Sequence, residues 1–144
     1  MEIIEGDLLD IDKGIIIHQV NNCKAMGSGV AGQIRAKYNQ HYIDYKNSEL
    51  KLGGIVKTKI NNKFGVVGII AQNGYGRDKN KVYTDYIAFE ICLNKIRYIY
   101  DKNPKINFYM PYGIGAGLAN GDWNRIYKLI KTICPFIKLI RYNK

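Results

Sequence analysis

The chain has 144 residues, 47% of them hydrophobic, and carries no repeat or low-complexity tract, so one folded domain spanning 1–144 is expected and disorder is excluded. Its net charge of +10 points to an anionic or phosphorylated partner without saying which, because the basic residues are spread out. Three cysteines far apart (Cys23, Cys92, Cys134) and two histidines support neither a disulfide framework nor a zinc cluster, so no metal and no cofactor are expected.

In chain order, Ile3 and Ile4 open a short strand ending at Gly6-Asp7. Residues 14–20 (GIIIHQV) are a continuous apolar run, the pattern of a central strand covered on both faces. Val30, Ile34, Tyr38 and Tyr42 recur at four-residue steps and predict one amphipathic helix over 30–45, with His41 on its surface. Residues 54–60, the polar Asn61-Asn62-Lys63 and residues 64–71 read as a hairpin. Thr84 is the expected cap of a helix running to about residue 100, with Ile87, Ile91 and Ile96 facing inward and Asn103-Pro104 as its stop. Residues 106–110 predict a strand, 122–134 a helix and 136–142 a last strand. Strands alternating with helices imply an α/β fold, a sandwich with helices on both faces of a mixed sheet.

Two glycine-rich turns stand out: Met26-Gly27-Ser28-Gly29-Val30 and Gly113-Ile114-Gly115-Ala116-Gly117-Leu118. Each follows a predicted strand and leads into a predicted helix. Glycines there turn the backbone tightly and offer bare N–H groups to an anion, although tight strand–helix packing alone also demands glycine. The third glycine of GIGAGL comes one residue early for a dinucleotide fingerprint, and neither turn continues into Lys-Ser or Lys-Thr as a P-loop does. Ligands of such sheets sit outside the carboxyl ends of strands, where both turns fall. Two such loops in a chain this short suggest a diphosphate gripped from both sides.

Gly6-Asp7, HQVNNCKAMGSGVAGQIR at 18–35 and PYGIGAGLANGDW at 111–123 together resemble the macrodomain family of ADP-ribose-binding modules. The likeness is greatest to the branch of ADP-ribose-1''-phosphate phosphatases and related small ADP-ribosyl glycohydrolases. It spans essentially the whole chain and implies a three-layer α/β/α sandwich with ADP-ribose across the strand ends. It further implies that Asp7 receives the adenine amine, that Leu8 beside it belongs to the ligand-binding residues and that Asn21 bonds the distal ribose. Met26, Gly27, Ser28, Gly29 and Val30 would line one side of the diphosphate. Pro111 and Gly113, Ile114, Gly115, Ala116, Gly117 and Leu118 would line the other, and Tyr142 would stand beside adenine.

For catalysis the resemblance offers Asp122 in GDW as a general base toward water, with Asn21 beside it. The same aspartate at a helix start reads equally as a cap. His18, ending the central strand, could hold a phosphate or protonate a leaving group, or be a satisfied core residue. Glycohydrolases that work through a lysine carry it where Gln72 and Asn73 stand here, and their aspartate after the second loop is Ala119 here. The loop 73–83, with Gly74, Gly76, Arg77 and Asp78, is expected to be mobile, and Arg77 could clamp a phosphate. The expected activity is hydrolysis of ADP-ribose-1''-phosphate. Removal of ADP-ribose from modified protein or nucleic acid and non-catalytic reading of ADP-ribose are the alternatives. The acidic start MEIIEGDLLD, with no apolar run near the ~20 residues of a span, leads to the expectation of a monomeric cytoplasmic protein with no membrane partner.

Overall fold

A computed structural model describes residues 1–142. Its strands are β1 (Ile3–Glu5), β2 (Gly14–Asn21), β3 (Ile55–Asn61), β4 (Phe64–Gln72), β5 (Phe108–Pro111) and β6 (Lys138–Arg141). Its helices are α1 (Gly29–Lys37), α2 (Asn39–Lys46), α3 (Tyr86–Lys102) and α4 (Trp123–Ile133), with a 3-10 turn over Leu8–Asp10. The strands form one sheet in the order β1-β6-β5-β2-β4-β3. Every pairing is parallel except the β3–β4 hairpin. The expected α/β sandwich on a mixed sheet is therefore the fold observed. No helix of the described residues is long and apolar enough to cross a membrane.

The apolar run of β2 occupies the sheet interior because it is covered twice. Ile17 belongs to a core with Phe89, Leu93, Ile126 and Ile130 of α3 and α4. Ile16 packs instead with Ile34 of α1, and Val20 with Tyr45 of α2. Alternation along a strand assigns the neighbours: Gln19 falls on the α3/α4 side and His18 on the α1/α2 side. Gly14 is obligatory for β2 to lie this close to the segment before β5. It has φ +95°, and a Cβ there would stand 2.5 Å from the Asn107 carbonyl oxygen.

Four local expectations are corrected. The helix predicted over 30–45 is two helices, because Tyr38 leaves helical geometry at φ −128°, ψ 71°. Its ring instead packs against Phe64, centroids 5.5 Å apart, and the bend directs His41 and Tyr45 into the core. His41 is accordingly buried, not on the surface. The cap of α3 is Asp85, whose carboxylate accepts the Ala88 N–H at 2.9 Å, rather than Thr84. The face of α3 that turns inward carries Ala88, Phe89, Cys92, Leu93 and Ile96, whereas Ile87 and Ile91 are 75% and 43% exposed. The denser 3–4 spacing of that set outweighs the two isoleucines.

Candidate functional site

Because β1, β6, β5 and β2 run parallel, their carboxyl ends share one edge, and the glycine turns leave from the adjacent strands β2 and β5. The second turn is built by internal backbone bonds: Ile114 N–H to Pro111 O, Ala116 N–H to Gly113 O, and Gly121 N–H to Gly115 O. The N–H groups of Gly113, Gly115, Gly117 and Leu118 find no acceptor among the described residues. In the first turn the N–H groups of Gly27 and Ser28 are likewise without acceptor, and those of Gly29, Val30 and Ala31 open α1. Ser28, the residue before that helix, makes no side-chain cap. Two sets of donors without acceptors among the described residues thus lie along one edge, and the dipole of α1 adds to the positive potential of the first.

Polar side chains hold these turns, and for Tyr45, Gln19 and Thr84 this role was not among the sequence expectations. Tyr45 donates its hydroxyl to the Asn21 carbonyl and side-chain oxygens, both at 2.7 Å, and burial pushes that phenol up to about 12. The Asn21 amide also binds Cys23 N–H at 2.9 Å and Ala25 O at 2.7 Å, so it stitches the first loop together. Asn22 bridges to the neighbouring strand end, accepting Gly74 N–H at 2.9 Å and donating to Asn73 at 3.1 Å. Beneath the second turn, Thr84 donates to Gly115 O at 2.7 Å and accepts from Gln19 at 3.0 Å. Gly115 has φ +76°, and a Cβ there would meet Gln19 and Thr84 at 3.0 and 3.1 Å, so only glycine fits. The signal for this cluster was available: Gln19 is the one polar residue besides histidine inside the apolar run of 14–20.

We expect Thr84→Val to lower unfolding free energy by about 1–3 kcal/mol, since the part-buried Gln19 amide and Gly115 carbonyl lose their hydrogen bonds. Denaturant titration reads this, and an unchanged midpoint would mean the cluster does not support the turn.

The expected site residues divide into two groups. Asp7 and Tyr142 stand at the ends of the paired strands β1 and β6, and Tyr142 is 66% exposed. Asp7 uses one carboxylate oxygen to cap the 3-10 turn through Leu9 N–H at 2.9 Å. Gly27, Ser28, Gly29, Val30, Gly117 and Leu118 are exposed along the same edge, with Pro111 and Ala116 half-buried. The side chains of Leu8, Met26 and Ile114 are instead packed in the three cores, so they anchor the turns from below. The loop after β4 is bridged to the second turn: Asn120, itself at φ +59°, donates to the carbonyls of Asp78 and Lys81 at 2.9 and 2.8 Å.

The residues expected to catalyse are not brought together. Asp122 is exposed and caps α4 on the α3/α4 side, accepting Asn124 N–H at 3.0 Å while its own N–H donates to the Tyr86 hydroxyl at 2.9 Å. His18 lies on the opposite side of the sheet, 1% exposed, and its imidazole does not open onto the cleft. The two histidine Nε2 atoms are 2.8 Å apart. Thr58 gives its single proton to Asp44 at 2.7 Å, so its oxygen accepts His41 Nδ1–H at 2.8 Å. His41 Nε2 is then the acceptor for His18 Nε2–H, which leaves the buried His18 Nδ1 lone pair without a donor among the described residues. Burial, and for His18 also the neighbouring His41, holds its pKa well below the usual imidazole range and that of His41 at about 4. Burial also pushes the Cys92 and Cys134 thiols up to about 12, so neither is a nucleophile.

No protein-family model matches the sequence, and no curated protein matches it. Solved structures do. A protein of unknown function from Bacteroides thetaiotaomicron superposes with a TM-score of 0.78 at 28% identity, covering 100% of this chain and 99% of that one. The macrodomain of Thermus aquaticus DarG gives 0.78 at 16% identity, over 99% of this chain and 97% of that one. Thermosipho africanus DarTG in complex with ADP-ribose gives 0.77 at 16% identity, over 99% of this chain and 42% of that one.

Proposed function

We propose that this chain, whose fold is that of the macrodomains, binds ADP-ribose along the edge formed by the two glycine turns and hydrolyses a 1''-substituted form of it. The observation that carries the reading is the pair of N–H sets without acceptors among the described residues, in the turns that follow the adjacent parallel strands β2 and β5. Asp7 and Tyr142 take the adenine end, the carboxylate through its oxygen that does not cap the turn. Asn21 acts on the distal ribose by shaping the loop, its own amide being engaged within the chain. The preferred substrate is ADP-ribose-1''-phosphate. Water adds to phosphorus, the bond from phosphorus to the 1'' oxygen breaks, and that oxygen leaves with a proton, giving ADP-ribose and phosphate. Asp122 takes the proton from water through the carboxylate oxygen that does not cap α4. Its setting is a cytoplasmic monomer.

A second reading, binding without turnover, is favoured by a specific observation: His18 is buried, and one Asp122 oxygen serves α4. Asp122→Asn separates the readings, because asparagine preserves the cap and removes the base. On the hydrolase reading this variant binds ADP-ribose like the wild type in calorimetry and releases phosphate at least tenfold more slowly. Undiminished release assigns Asp122 to the cap alone. A wild-type protein that binds ADP-ribose yet frees neither phosphate nor ADP-ribose from modified protein or DNA is a reader.

A further inference from the structure

At the opposite end of the sheet, away from the glycine turns, a cavity of about 440 Å³ opens between the C-terminal part of α3 and the strands. Five lysines from separate segments line it: Lys13 before β2, Lys57 and Lys59 on β3, Lys63 in the hairpin turn and Lys105 before β5. All five are exposed, no carboxylate is among the lining residues, and none of the five makes an ion pair among the described residues. The floor is apolar, formed by Ile15, Val67, Ile99 and Ile106. A second hollow shares Lys57 and Ile99 and continues the groove along α3 to Lys95 and the exposed Tyr98. The strand period explains the arrangement. Val56 and Thr58 turn into the α1/α2 side, so Lys57 and Lys59 must face the α3 side on an edge strand.

We infer that this groove is a docking surface for single-stranded nucleic acid, separate from the edge that carries the glycine turns. Lysine ammonium groups along the rim pair with successive phosphates, while the apolar floor and Tyr98 take unstacked bases. The concave shape and the spread of lysines over several segments suit a flexible strand. A membrane surface would call for protruding apolar side chains, whereas Ile15, Val67 and Ile99 of the floor are buried or half-buried and only Ile106, 37% exposed, lies open. A stiff duplex would not reach that floor.

The test is fluorescence anisotropy of a labelled oligothymidylate with the full chain. Affinity should fall with salt at a log–log slope of about −3.5, from ~0.7 per phosphate for each of the five lysines. Lys57→Glu/Lys59→Glu should weaken binding at least tenfold, whereas the charge-matched Lys128→Glu/Lys131→Glu on α4 should change it less than about threefold. Lys63→Glu/Lys105→Glu, both in turns, repeats the test should the strand variant fail to fold. Equal losses in the groove and α4 variants would show diffuse attraction and overturn the site. So would absent binding, duplex DNA binding as tightly as the single strand, or anionic phosphatidylserine vesicles competing through the same lysines.

Discussion

Gly29→Glu should abolish ADP-ribose binding, with at least a hundredfold loss of affinity in calorimetry, while leaving a folded protein. Gly29 has φ +61°, and a Cβ built there meets nothing within 4 Å. Any side chain therefore costs about 1–2 kcal/mol of left-handed strain and then projects outward rather than into the core. A glutamate sets its own carboxylate against the first N–H groups of α1, the place proposed for the diphosphate, and repels the ligand as well as blocking it. A hundredfold loss corresponds to about 2.7 kcal/mol. Gly29→Ala separates the two contributions: it shares the strain but carries no charge, so it should melt at a similar denaturant concentration and lose about tenfold or less in affinity. A Gly29→Glu protein that binds ADP-ribose as the wild type does would remove the first turn from the site, and with it the proposed function.

The edge that carries the turns was legible because its signals are local. A glycine cluster after an apolar run declares its own backbone, and β2 and β5 lead into their turns as the sequence pattern required. What supports the turns was illegible because it is assembled across the chain. Thr84 looks like a helix cap when read beside Asp85 and Tyr86; only the fold places its hydroxyl under Gly115. The helical period of 30–45 was real, yet it could not reveal the break at Tyr38, which depends on Phe64 from another strand. His41 was misplaced for the same reason: its partners Thr58 and His18 come from β3 and β2. Asp122 shows a different limit. The residue type and position suit a base and a cap alike, and the hydrogen bond to Asn124 establishes the cap while leaving one oxygen for chemistry.

The pair of buried histidines predicts the largest effect on stability, and its direction follows from their displaced pKa values. Both are lowered in the folded state, His18 well below 6.5 and His41 from 6.5 to about 4. Well above pH 6.5 neither state is protonated and the pair imposes no penalty. As pH falls below that value the unfolded chain takes up two protons that the native one refuses, so stability is lost toward pH 4. Over pH 8 to 5 the loss should be about 2 kcal/mol from His41, with His18 adding to it in the same direction, read as a shift of the urea midpoint. The chain has only these two histidines, so replacing both isolates their share of the profile. Replacing both, as His18→Leu/His41→Leu, should flatten the pH 8 to 5 profile whatever it does to stability at pH 8. His41→Leu alone should cost about 1–3 kcal/mol at pH 8, because the His18 N–H and the Thr58 oxygen both lose their partner. A flat wild-type profile would mean that the imidazoles are not held neutral in the core. The consequence reaches the site through Tyr45, one helical turn beyond His41. An α2 loosened by imidazolium would release its hydroxyl from Asn21, so the first loop should gain amide exchange below pH 6 before the protein unfolds as a whole.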